Sequence, residues 1–303
     1  MRTIPALLVT VGLVASLTAC ASGSASAGGC TAPAPGNASE AVSASGAIGA
    51  KPTVHVPSPL TTKRTEVSVL HQGSGRVLGE GSPAVIEYTV VDGATGKTLQ
   101  TSGYKGTTSP ITVGSTNGGA LGNALECARV GDRLAIVVSK KALQNGSTTT
   151  AKVQQDAAVV VADVVDGFAS RADGRPQVAA DGMPAVVLAP NGAPGITVPA
   201  TAAPSSDQVH LLRKGSGREI TAKDTAVVKY TAVNWGTNST VAGSSWTDGS
   251  GAVTVPLAPG NQIAASIRKA LIGKQVGDQV LAVVKQNGTT YAYVFDLLGV
   301  MPR

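Results

Sequence analysis

Gly215-Ser216-Gly217-Arg218 leads, fifteen residues after its first glycine, to Tyr230 within Ala226-Val227-Val228-Lys229-Tyr230-Thr231. The same order stands earlier in the chain. Gly73-Ser74-Gly75-Arg76 is followed, again fifteen residues on, by Tyr88 within Ala84-Val85-Ile86-Glu87-Tyr88-Thr89. Further along, Val130-Gly131-Asp132-Arg133 is echoed by Val276-Gly277-Asp278-Gln279. Turn, strand and turn in one order at near-constant offset imply two copies of one domain. A chain of 303 residues is long enough to give each copy its own core.

Working outward, the second copy reads most clearly. Gln208 to Leu212, Ala226 to Val233 and Ala252 to Leu257 are β-branched or apolar runs bounded by turn residues, and are predicted strands. Residues 262–271 place Ile263, Ile267, Ala270 and Leu271 on one helical face, with Gly273 as the stop. Val280 to Lys285 and Thr290 to Val300 form a hairpin about Asn287-Gly288. In the first copy Val67 to Leu70, Ala84 to Val91, Leu134 to Val138 and Ala157 to Val165 are strands, and residues 121–128 are a weak helix. Pro184 to Leu188 echoes Pro52 to Val56, so the repeat begins ahead of Gly-Ser-Gly. The first copy also carries a longer polar loop, Lys140 to Gln155, of the kind that can contact partners. The predicted class is α+β: two tandem units, each an antiparallel sheet wrapped around one short helix.

The start of the chain is a targeting segment. Arg2 precedes an apolar run, Ile4 to Leu17, which ends in Leu17-Thr18-Ala19-Cys20. This resembles the lipobox of bacterial lipoproteins, which implies a diacylglycerol on Cys20, a membrane anchor and an extracytoplasmic location. Cys30 and Cys127 remain of the three cysteines. They form either a disulfide that pins the tether to the first domain or two free thiols, and we take the disulfide as the expectation. Residues 1–19 are then signal peptide, 20–50 a lipidated flexible tether, 51–168 the first domain, 169–180 a linker and 181–303 the second domain.

Composition excludes several classes. The net charge is +6, but the basic residues are scattered and no basic stripe interleaves with aromatics, so nucleic-acid binding is not expected. His55, His71 and His210 stand alone, as strand or edge residues, and no His/Cys cluster has metal-ligand spacing. Gly-Ser-Gly opens no helix and no Lys-Ser/Thr follows it, so it is a turn and not a phosphate cradle. The chain holds only nine aromatic residues. An aromatic pocket must therefore draw on very few side chains.

The second copy resembles an FKBP-type peptidyl-prolyl isomerase domain, and the first resembles it more faintly. The ordered set is Gly215-Ser216-Gly217, Tyr230, Ser244-Ser245, the 262–271 helix, Val276-Gly277-Asp278 and Asp296-Leu297-Leu298. Tandem units of this kind behind a lipobox are similar to lipoproteins of actinobacteria. The resemblance implies a pocket for a proline ring. Tyr230 is its strand tyrosine, Ile267 stands where the family has a Trp floor, and Tyr293 where it has a last-strand Phe. These three would be catalytic. Val253, Ile263, Ala264 and Trp246 would bind substrate, Trp246 by folding over the pocket. The family's Phe-Asp before Ser-Ser is here Ala242-Gly243, and its long-loop Tyr has no counterpart. In the first copy Tyr88 is kept, with Leu121 and Val160 at the floor and last-strand positions.

The implied chemistry needs no cofactor, metal or nucleophile. An X-Pro bond rotates over a barrier of about 18–20 kcal/mol, which falls when the twisted amide is bound better than the planar one. The expected function is peptidyl-prolyl isomerisation of proline-containing polypeptides outside the cytoplasm. It should be of low activity, carried by the second domain of a monomer. The rival expectation is a non-catalytic chaperone or binding scaffold.

Overall fold

The computed structural model describes residues 31–106, 108–139, 156–178, 180–236 and 239–302. The fold is sheet-rich with few helices, and every strand pairing among the described residues is antiparallel.

A short hairpin comes first, β1 Ser43–Ser45 and β2 Thr53–His55. Then follow β3 Glu66–His71, β4 Pro83–Asp92, β5 Thr98–Thr101, β6 Ile111–Thr112, β7 Arg133–Ser139 and β8 Ala157–Gly167. They assemble as β3-β7-β8-β4-β5, with β6 also on β4. The second half has β9 Arg175–Pro176, a hairpin of β10 Ala185–Leu188 and β11 Pro194–Thr197, then β12 Gln208–Lys214, β13 Thr225–Asn234, β14 Val241–Ser244, β15 Val253–Pro256, β16 Gln279–Gln286 and β17 Thr289–Val300. Its large sheet runs β14-β13-β17-β16-β12-β9, with β15 also on β13. Strand for strand, apart from β9, the two large sheets have one order.

The repeated motifs explain that equivalence. Gly73 and Gly215 lie so close to the carbonyls of Val130 and Val276 that a side chain at either would overlap them. The aspartate of each Val-Gly-Asp turn completes the joint. Asp132 accepts from the Gly73 N–H at 2.6 Å and the Arg129 N–H at 2.7 Å. Asp278 accepts from the Gly215 N–H at 2.6 Å and the Gln275 N–H at 2.8 Å. Gly-Ser-Gly is thus a turn whose partner is Val-Gly-Asp.

Each sheet buries one face against a helix. Leu78, Ile86, Leu134 and Val160 pack on Ala124 and Leu125 in the first half, and Val228, Val280, Phe295 and Leu297 on Ile267, Ala270 and Leu271 in the second. Both helices start earlier or later than their sequence suggests. The first is Ser115–Ala124, broken at Gly119, and ends where residues 121–128 were expected to run on. Cys127, at φ 64°, turns the chain away there. The second is Ala265–Leu271 and starts three residues late. Asn261 Oδ1 accepts from the Ile263 N–H at 2.8 Å, a local turn that competes with helix.

The opposite face of each sheet is where the sequence reading needs correction. Residues 31–50 were expected within a flexible tether. They hold a helical turn, Asn37–Glu40, and β1, and they bury Ala38 and Val42 against Ala135, Val137, Val159 and Val161. Small apolar side chains suffice because the sheet face is already apolar. Residues 169–180 were expected as a linker. Ala172 is buried and β9 extends the second sheet by pairing with β12. The echo of Pro52–Val56 in Pro184–Leu188 also falls on unlike strands, the second of one hairpin and the first of the other. The β10–β11 hairpin nonetheless covers the second sheet, with Ile196 and Met183 packed near Val233, Val283 and Ala292.

These covering segments also satisfy buried charge. Arg133 donates to both oxygens of Asp163 at 2.6 and 2.7 Å and to the carbonyls of Gly46 and Ala47 at 2.9 and 3.0 Å. The Gly49 N–H donates to Asp163 at 2.7 Å. At the matching place, Asp296 accepts from the Gln279 amide at 2.7 Å and the Ala172 N–H at 2.8 Å. The expected long loop 140–155, Cys20 and Cys30 lie outside the described residues.

Candidate functional site

The second sheet gathers aromatic side chains on its helix-facing side. Period-two alternation puts Tyr291, Tyr293 and Phe295 of β17 on one face. The β13–β17 register sets Tyr230 opposite Phe295 and Ala232 opposite Tyr293. The Tyr230 ring lies 6.4 Å from that of Tyr293 and 6.2 Å from that of Phe295, centroid to centroid. Tyr293 stacks on Phe295 at 5.2 Å with 5° between planes, and Tyr291 stands 5.9 Å from Tyr293. These are contact distances for aromatic pairs. The rings therefore form a surface with no ring-sized gap between them.

The rest of the expected pocket converges on the same cluster. Ile267 is buried beneath it, and Val253, Ile263 and Ala264 pack on it half-buried. Val253 arrives because β15 pairs it with Val228. Phe295 belongs here as well, although the sequence reading placed only Tyr293 at the last-strand position. The Tyr-x-Tyr-x-Phe alternation was the signal that would have found it.

Tyr230 is held by its backbone. Its N–H donates to Ser245 Oγ at 2.9 Å, and the Ser245 N–H donates back to its carbonyl at 3.0 Å. Tyr88 is clamped identically by Ser102, at 3.0 Å each way. The hydroxyls differ. Tyr88 accepts from Gln100 Nε2 at 2.9 Å, whereas the Tyr230 hydroxyl has no hydrogen-bond partner among the described residues. Burial, then the neighbouring Tyr291, pushes the Tyr293 phenol above its ordinary value, so it stays a neutral donor.

Trp246 is not in this cluster. It sits against Lys229, whose Nζ stands 4.4 Å from the indole centroid. Lys229 alternates with Tyr230 along β13 and so points to the other side of the sheet. That is the side where the two halves meet, through Val85, Phe168, Val227, Ala252 and Leu298.

In the first half Tyr88, Leu121 and Val160 share the helix-side cluster with Val90 and Ile111, and among the described residues no second aromatic ring joins them there. Among the described residues no group of His, Cys, Asp or Glu is placed to hold a metal, and no helix is long and apolar enough to cross a membrane. What the tyrosine site can do is bind an apolar, ring-sized group on a dry floor beside phenolic donors.

No family model and no curated protein matches the chain. A solved structure, "Putative Peptidyl Prolyl cis-trans Isomerase FKBP12 from Mycobacterium tuberculosis", is similar over 35% of this chain and 85% of its own, at 22% identity and a TM-score of 0.28. At that TM-score the site rests on its own geometry alone.

Proposed function

We propose that the protein is an exported proline-binding protein built from two FKBP-like units, and that its second unit isomerises X-Pro bonds at a low rate. The observation that carries this is the meeting of Tyr230, Tyr293 and Phe295 above Ile267, with the Tyr230 hydroxyl unengaged. A proline ring on Ile263 and the half-buried tyrosine rings would shed water. The Tyr230 hydroxyl would donate to the adjacent carbonyl as the amide twists out of conjugation. No cofactor enters, and the partners are proline-containing polypeptides.

The units are residues 31–168 and 169–303, which extends each to its covering segment. The compartment is outside the cytoplasm, with Cys20 lipidated. Cys127 is disulfide-bonded, in keeping with an oxidising compartment. The Thr31 N–H donates to the Glu126 carboxylate at 3.2 Å. Cys30 and Cys127 are thus neighbours of two residues in contact, which supports their pairing.

One observation favours a second reading, a non-catalytic peptide-binding scaffold. The rings touch one another and form a surface in place of a deep aromatic pit. The test is the cis/trans exchange rate of an X-Pro peptide with the mature protein, alongside Tyr230→Phe. Acceleration that drops in the variant supports isomerisation. Binding without acceleration supports the scaffold, and neither binding nor acceleration contradicts both.

A further inference from the structure

A second site lies where the two halves meet. A cavity of about 460 Å³ opens there, lined by Glu80 and Thr112 from the first half and by Arg171, Lys229 and Trp246 from the second. That volume falls within the range of small-molecule sites, roughly 300–1,000 Å³.

Two features of its lining are incomplete. Lys229 is only 5% exposed, yet no carboxylate pairs with it among the described residues. Its ammonium donates to the carbonyls of Gly81 and Ser170 at 3.0 and 2.9 Å. Asp296 is the acid whose field reaches it, and that carboxylate is already engaged by Ala172 and Gln279. Desolvation therefore lowers Lys229 to about 8 in spite of Asp296. The second feature is the Trp246 indole N–H, which is buried and has no acceptor. Among the described side chains only Gln286 shares that condition. A cation without counter-ion on the wall of a cavity marks a place for a negatively charged ligand.

We propose that this junction cleft binds a small carboxylate-bearing ligand, with Lys229 as its counter-ion and Arg171 at the mouth. The charged lining is Lys229 and Arg171 against Glu80, two cations less one acid. That balance suits a monoanion and disfavours a phosphate dianion. Arg171 is exposed and bonds to the Pro190 carbonyl at 3.0 Å, so it can swing to a ligand without disturbing the core. The carboxylate belongs either to a free small acid or to the C-terminus of a peptide.

The mature protein is titrated with acetate, with N-acetylglycine, and with one short peptide as free acid and as amide, while tryptophan fluorescence is followed. Chloride at equal ionic strength and inorganic phosphate are the controls. A saturable response to the acids, absent with the amide and with chloride, is expected. It should weaken as pH rises through about 8, since Lys229, among the neighbouring charged groups Glu80, Arg171 and Asp296, loses its charge there. Lys229→Met should weaken binding about tenfold or more, as loss of a charge-assisted partner does. Arg171→Gln, on the exposed rim, should weaken it severalfold with the fold intact. Acetate binding as well as the peptide acid identifies a free acid, and preference for the peptide acid identifies a C-terminus. A response matched by chloride, tighter binding of phosphate, or affinity unchanged in Arg171→Gln overturns the proposal.

Discussion

Phe168 lies with its ring against the backbone of Gly299, so close that a methyl group on that glycine would overlap it. The two residues come from opposite halves, and the contact is part of the cluster that joins the sheets. Val85 and Val227, which hold matching places in β4 and β13, meet in the same cluster. Each alternates with residues facing its own helix, so the halves meet through the sheet faces that turn away from the helices. The Tyr88 and Tyr230 clusters consequently open on opposite sides of the junction.

Gly299→Ala should therefore overpack the junction. We expect a loss of about 1–3 kcal/mol, as for other small-to-large changes in filled cores, read as a lower urea midpoint. An unchanged midpoint would mean that the halves do not meet this tightly.

Asp278 should matter to stability more than its turn position suggests. It is fully buried and accepts two backbone N–H groups. Asp278→Ala leaves both donors unsatisfied and should cost roughly 2–4 kcal/mol. Asp278→Asn retains one acceptor oxygen and should cost less. Thermal unfolding of the two variants checks the order, and equal losses would show that the carboxylate geometry is irrelevant.

Lys229 carries a pH signature. Its value falls from 10.5 unfolded to about 8 folded, because burial disfavours the charge. Folding is therefore penalised in full below about pH 8, and the penalty fades by about 10.5. Stability should rise with pH across that window, by about 3 kcal/mol for such a shift. The Lys229→Met protein lacks this rise. Urea unfolding of both proteins at roughly pH 7 and pH 10 measures the difference, and a gap that does not change with pH would contradict the account.

Parts of this molecule could be read from the chain and parts could not. Gly215 and Asp278 were legible because close backbone approach demands glycine and a buried turn demands an acceptor, and the chain states both twice. The strands of the large sheets were legible from β-branched alternation. The β1–β2 and β10–β11 hairpins were not. Their three- and four-residue strands are too short to show an alternation, and they are ordered by the apolar face they cover, Val137 and Val159 in one half and Val283 and Ala292 in the other. The positions of the candidate site residues followed the same division. Tyr230, Tyr293 and Ile267 could be placed because strand and helix periods fix which way a side chain points. Trp246 sits in a turn, where no period applies, and the cation on Lys229 decides its place.

The most direct test is exchange NMR on an X-Pro peptide with the mature protein and with Tyr230→Phe. The substitution removes one hydroxyl that has no hydrogen-bond partner among the described residues, so stability should not change. The account predicts faster cis/trans exchange with the wild-type protein and a drop of up to about tenfold in the variant, the kinetic equivalent of one hydrogen bond. Equal exchange rates with and without the protein, and no shift of peptide resonances on adding it, would contradict the claim that this aromatic surface receives proline.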